Sequence, residues 1–215
     1  MSQTRPQKIT GYTPEHKSEL QPWQVLDSEQ VFSHRYYSLR RDTVRLGNGL
    51  VLDDYFVSQR SDVALVMPVT RDRQVILVRQ YRHAVQKILL EFPAGRFDAA
   101  VEDAGAAAQR ELLEETGYGL DPDALDPDAT ESRLIALATL YGNPVRDTSS
   151  LFSFLAYPVV QLGVPQLDAS EELETLKIPL TELHERICQG DVCVSGSVAT
   201  YFLGRQYLQV NGLLE

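Results

Sequence analysis

The segment that most constrains this chain is Glu102 through Tyr118, which ends in Arg110-Glu111-Leu112-Leu113-Glu114-Glu115-Thr116-Gly117-Tyr118. Ala104, Ala106, Ala107, Ala108, Leu112 and Leu113 supply helix propensity and an apolar face. Gly117 supplies the residue that ends the helix. On such a helix Glu111 and Glu115 are one turn apart and point the same way, where two like charges repel by about 0.2–0.5 kcal/mol. Glu114 adds a third negative charge near the helix C-terminus, where the backbone dipole already disfavours anions. A helix selected only for stability would carry Lys or Arg there. The simplest physical reason for three carboxylates is a hard divalent cation held by oxygen ligands, most commonly Mg2+ and alternatively Mn2+. Against this stands the ordinary alternative that an acidic helix face is solvated surface.

The spacing resembles the signature of the Nudix hydrolases, G-x5-E-x7-R-E-(apolar)-x-E-E-x-G-(apolar). Gly95 begins the match, Glu102 comes next, and Arg110 to Tyr118 fit every fixed position. Six residues, Arg96 to Val101, separate Gly95 from Glu102 where five are usual, which reads as a one-residue loop insertion. So many positions at fixed spacing outweigh the solvated-surface alternative. Val78-Arg79-Gln80-Tyr81-Arg82 and Glu91-Phe92-Pro93-Ala94-Gly95 resemble the segments before the box in the ADP-ribose pyrophosphatase branch. The resemblance covers roughly residues 23 to 208.

The resemblance implies an α+β chain, an α/β/α sandwich with a mixed central sheet between helices, preceded by a small antiparallel sheet. It implies metal ligation by Glu111, Glu115 and the Ala94 backbone carbonyl, with Glu114 direct or through water. Glu102 is expected to orient Arg110 or hold an outer metal water, and Gly95 and Gly117 are expected to be structural. In relatives the general base often sits in a later loop. The corresponding stretch here is Tyr141 to Ser150, whose only carboxylate is Asp147. Asp147 could instead cap its turn through Thr148 or Ser149, leaving a box glutamate such as Glu114 as the base. Arg79, Arg82 and Arg146 are candidate phosphate or ribose contacts, because guanidinium binds phosphate in a two-pronged way. Each alone is more readily a surface ion pair. Glu91, at a strand end, is a candidate for sugar hydroxyls or a base. The implied activity is hydrolysis of a nucleoside diphosphate linked to another group, with ADP-ribose giving AMP and ribose 5-phosphate. GDP-mannose, NADH and a non-catalytic ADP-ribose sensor are the rivals.

Composition sets the remaining bounds. The chain has 215 residues, 43% of them hydrophobic, which suits one domain and a smaller unit. The division expected is residues 1–58, an arm and small sheet, and residues 59–215, the hydrolase domain. A net charge of −10 argues against a nucleic-acid partner. No apolar run reaches the roughly 18–20 residues that span a bilayer. The N-terminus lacks an apolar signal core, and Cys188 and Cys193 alone are weak evidence for zinc, so free thiols and a cytoplasmic location are expected. His16, His34 and His184 are expected at the surface, and His83 has no partner at metal spacing.

Alternating segments from Trp23 to Val57, with a turn at Gly47-Asn48-Gly49, predict a small antiparallel sheet. Such a sheet is too small to stand alone, so a homodimer that uses it is expected. Strands are expected at Val63–Val69, Gln74–Arg79, Ile88–Phe92, Leu134–Tyr141 and Leu151–Tyr157, with Ala94-Gly95 ending a strand. Helices are expected at Ala104–Thr116, from Pro179 through Cys188, and at Ser197–Val210. Residues 1–20 read as a loose arm and Asp121–Asp128 as a loop.

Overall fold

The computed structural model describes residues 20–124 and 133–214. The expected arm therefore falls almost entirely outside the described residues, as does the second half of the Asp121–Asp128 loop. The chain divides into two compact units, one holding residues up to Arg60 together with Asn143–Ser149, the other holding Ser61–Gly142 and the chain from Ser150 onward.

The first unit is an antiparallel sheet of three strands, β1 (Gln24–His34), β2 (Tyr37–Arg45) and β3 (Val51–Gln59), in that order. These strands are longer and fewer than the short alternations suggest, because β1 runs unbroken through Val31 and Phe32 to His34 and pairs with β2 along its whole length. Every residue of β1 is exposed. Ser28 Oγ donates to Asp42 Oδ1 at 2.6 Å, and Arg40 holds the other oxygen of the same carboxylate at 3.0 Å.

The second unit begins with β4 (Asp62–Pro68) and β5 (Gln74–Arg82), then β6 (Lys87–Glu91), β7 (Ala94–Phe97), α1 (Ala104–Thr116) and β8 (Tyr118–Leu120). It continues through β9 (Arg133–Tyr141), β10 (Ser150–Tyr157), β11 (Val159–Gln161), β12 (Leu173–Pro179), α2 (Leu180–Gln189) and α3 (Ser195–Val210). One sheet has the order β7-β4-β10-β9, with β4 and β10 parallel and the other pairs antiparallel. A second has the order β12-β5-β6, and β8 pairs with β11. The central sheet is thus mixed, as expected.

The continuous apolar run in β4 results from burial on both faces. Leu65 and Met67 point into a core closed by Tyr201 and Leu208 of α3 and Leu183 of α2. Ala64 and Val66 point the other way, against Ala107, Ala108 and Leu112 of α1. This alternation makes the α/β/α sandwich, and it fixes α1 as the outer helix on one face. Leu112 is fully buried there, so its truncation to Ala costs about 2–5 kcal/mol.

One boundary differs from the expectation. Ala94-Gly95 does not end a strand; it opens β7, which pairs with Asp62–Leu65 of β4. The pairing is with an earlier strand, and of these four residues only Phe97 is a good strand former, so local composition carries no signal for it. Among the described residues, no helix is long and apolar enough to cross a membrane.

Candidate functional site

Helix α1 is fastened at both ends. The Asp103 side chain accepts from the N–H groups of Gly105 and Ala106, at 2.9 and 3.0 Å, satisfying two of the free donors of the first turn. At the other end Gly117 adopts φ 72° and returns its N–H to Leu113 O. A side chain at Gly117 would also meet Gly163 O at 2.4 Å, so the position requires glycine on two counts.

Between these caps, the helical period carries the carboxylates inward. Glu111 and Glu115 share the buried side of α1 with Ala108 and Leu112, whereas Glu114 is half-exposed. Gly95 sits directly against Glu111: a Cβ there would fall 1.7 Å from Glu111 Oε1. The Ala94 N–H donates to Glu115 Oε2 at 3.1 Å. The start of β7 and the inner face of α1 are therefore one piece of structure. The extra residue before Glu102 is absorbed in a closed turn, where Asp98 O accepts from the N–H groups of Val101 and Glu102, both at 2.9 Å.

Arg110 ties the outer carboxylates together. Its Nε and Nη2 donate to the two oxygens of Glu102 at 3.1 and 2.9 Å, and its Nη1 donates to Glu111 Oε1 at 2.8 Å and Glu114 Oε2 at 3.0 Å. These bonds hold the Glu102 carboxyl below the usual carboxylate range and raise the guanidinium's own pKa. Glu111 is pushed up by burial, which outweighs the opposing help from Arg110. Glu115 goes further: burial, and then the charge of Glu111, push it up to about 8. Its hydrogen bond from Ala94 and the charge of Arg82 pull the other way and do not compensate. A buried carboxylate with no ion pair among the described residues, next to a second buried carboxylate, is a site that an added cation would relieve.

Glu171, which no motif or spacing singles out, adds a smaller negative charge to the surroundings of this pair. Its charge acts on both Glu111 and Glu115. Glu171 lies in the segment between β11 and β12, which is bound to the end of α1. Leu162 and Gly163 N–H donate to Gly117 O at 2.9 and 3.0 Å, and Gln166 N–H donates to Glu114 O at 2.7 Å. These bonds occupy carbonyls that the end of α1 leaves without helical partners. Glu171 Oε2 also accepts from the Asp168 N–H at 3.1 Å.

The remaining candidates make other contacts. Arg82 forms a two-pronged pair with the buried Glu91, at 2.7 and 3.0 Å. Arg79 pairs with Glu174 across the β5–β12 ladder. In the first unit, Asp147 Oδ1 accepts from the Ser149 N–H at 2.9 Å, a turn-capping bond, and Oδ2 pairs with Arg60 at 3.3 Å. Arg146 lies over the Tyr55 ring at 4.6 Å, and Tyr55 in turn meets Trp23 edge to face at 5.5 Å. Cys188 and Cys193 are free and exposed.

Residues 59–193 match the NUDIX domain, and residues 23–58 match the nucleoside diphosphate sugar hydrolase N-terminal domain. A methanol dehydrogenase activator of Bacillus methanolicus is 38% identical over 94 residues, spanning 44% of this chain and 50% of that relative. An ADP-ribose pyrophosphatase of Bacillus subtilis is 29% identical over 192 residues, spanning 89% of this chain and 95% of the relative. A crystal structure described as an ADP compounds hydrolase shares the fold at a TM-score of 0.75 and 23% identity, covering 92% of this chain and 100% of the other.

Proposed function

The chain belongs to the Nudix family, and on that premise we propose that it is a Mg2+-dependent pyrophosphohydrolase whose leading substrate is ADP-ribose, cleaved to AMP and ribose 5-phosphate. The observation that carries this reading is Glu115: a carboxylate buried without an ion pair among the described residues, pushed up to about 8, beside the buried Glu111. That donor set is all oxygen, which suits Mg2+ or Mn2+. Held by Glu111, Glu115 and the Ala94 carbonyl, with Glu114 direct or through water, the cation would neutralise diphosphate charge and lower the pKa of a bound water.

The chain's own residues supply the rest. Arg110 keeps Glu111 and Glu114 oriented from the outer side. Glu171, in the segment hydrogen-bonded to the end of α1, is in this reading the group that accepts the proton of the attacking water. Asp147 is the rival base, and both of its oxygens carry other bonds. Glu114, half-exposed and shared with Arg110, is a third. Arg79 and Arg82 are the phosphate and ribose contacts in this reading, and Glu91 orients Arg82.

Residues 59–215 form the hydrolase domain in this reading, and residues 1–58 serve assembly. Val25, Val31 and Phe32 of β1 and Phe56 of β3 are exposed apolar residues, and a homodimer that covers them removes an otherwise open sheet. A cytoplasmic location, without nucleic-acid or membrane partners, belongs to the same proposal.

A panel of ADP-ribose, GDP-mannose and NADH, assayed in Mg2+ with products separated by chromatography, tests the substrate. ADP-ribose should give AMP with the highest kcat/KM. Preference for another member of the panel would move the substrate within the same chemistry. Binding of ADP-ribose without turnover would make the protein a sensor.

A further inference from the structure

Helix α3 meets the sheet with side chains that are polar as well as apolar. Ser197, Thr200 and Tyr201 are all buried on it. Thr200 and Ser153 of β10 share a hydrogen bond of 2.8 Å. Ser197 does something different: its Oγ accepts the N–H of Phe92 at 3.0 Å, between two buried residues. Phe92 and Pro93 lie between β6 and β7, outside both ladders. The Phe92 N–H thus has no strand partner, Pro93 has no N–H to give, and a buried amide without an acceptor is strongly disfavoured.

The residues after Phe92 form the floor of the carboxylate cluster. Pro93 O accepts from the Val66 N–H at 3.0 Å. The Ala94 N–H goes to Glu115 at 3.1 Å, and Gly95 lies against Glu111. Four consecutive residues are therefore pinned in turn by α3, by β4 and by two glutamates of α1. Without the Ser197 hydroxyl, the Phe92 amide must seek another acceptor, and the short rigid span to Ala94 carries that shift to the Ala94 peptide.

We propose that Ser197 is a positioning residue for the metal-binding carboxylates, acting from the opposite face of the sheet through Phe92 and the Ala94 peptide. The proposal rests on the assignment of Glu111 and Glu115 as metal ligands and adds to it a contributor that touches neither metal nor substrate.

Its test needs no turnover. Mn2+ is titrated into the full-length protein, and free Mn2+ is read by electron paramagnetic resonance. Ser197→Ala should raise the Mn2+ dissociation constant by about tenfold, the low end of losses for outer-shell partners. Thr200→Val removes the neighbouring hydroxyl bond from the same helix face and should leave that constant within about twofold, although it too lowers Tm. Unchanged Mn2+ affinity in folded Ser197→Ala, or an equal loss in Thr200→Val, overturns the proposal while sparing the metal assignment. Wild-type protein that binds no Mn2+ overturns both. Should Ser197→Ala fail to fold, amide exchange in the wild type decides. Coupling is reciprocal, so saturating Mg2+ must slow exchange of the Phe92 N–H, and unchanged exchange at Phe92 contradicts the proposal.

Discussion

Glu115 on α1 and Asp147 in the Asn143–Ser149 loop are both carboxylates at candidate catalytic positions, and the fold treats them in opposite ways. Asp147 is fully engaged, with the Ser149 N–H on one oxygen and Arg60 on the other. Its arrangement is an ordinary capped turn with a partly exposed ion pair, worth about 0–1 kcal/mol. Glu115 is buried, has one backbone donor among the described residues, and shares its surroundings with a second carboxylate. The first arrangement serves the fold of its own loop. The second works against the stability of its helix, and a sequence selected only for folding would not retain it.

The largest effect expected from this contrast concerns the base. Glu171→Gln should lower kcat by about 10²–10⁴, and Asp147→Asn should change it only a few-fold. The reverse order, with Tm preserved in Asp147→Asn, would return the base to the loop and break the comparison at its weaker end.

Next in size is a pH effect on the metal-free protein. The folded-state pKa of Glu115 lies near 8, above the ordinary glutamate value of 4.5. A group raised in this way supports the fold most below the unfolded pKa, and that support is lost as pH rises through the folded one. Metal-free wild type should therefore lose several kcal/mol between about pH 4.5 and 8 from this group. Glu115→Gln removes the ionisation, so above pH 8 the variant should melt higher than wild type in EDTA, by roughly 2–4 °C per kcal/mol recovered. Equal melting temperatures at about pH 9, above the folded pKa, would show that Glu115 is not held at a cost.

The smallest effect lies in the first unit. Charging exposed apolar positions of β1, with Val25→Lys and Val31→Lys, should dissociate the homodimer in light scattering while Tm shifts by only a few degrees. A wild-type monomer at micromolar concentration would leave the exposed face of β1 without a role in assembly.

Much of α1 is readable directly from the chain. Its period of 3.6, the Gly117 stop and the fixed carboxylate spacing are local properties, and the helix spans Ala104–Thr116 as its composition suggests. β4 and β5 are readable for a similar reason, since burial on both faces gives unbroken apolar runs. β7, β8, β11 and β12 are not. Three of them have only three or four residues, and β12 spaces Leu173, Leu176 and Ile178 without strict alternation. Glu171 is illegible for a deeper reason. Its charge acts on Glu111 and Glu115 because the segment before β12 is hydrogen-bonded to the end of α1, a contact between parts of the chain that no short window contains. The Ser197–Phe92 bond, across 105 positions, is a second case.

The central claim is that the buried carboxylates of α1 hold a divalent cation for phosphoanhydride hydrolysis. Its most direct test is ADP-ribose hydrolysis by wild type and Glu115→Gln, each in Mg2+ and in EDTA, with AMP formation as the readout. Wild type should turn over only in Mg2+, and Glu115→Gln should lose about 10²–10³ in rate, the scale set by removing one key electrostatic group. Full wild-type turnover in EDTA, or a Glu115→Gln rate within about threefold of wild type in Mg2+, would contradict the claim.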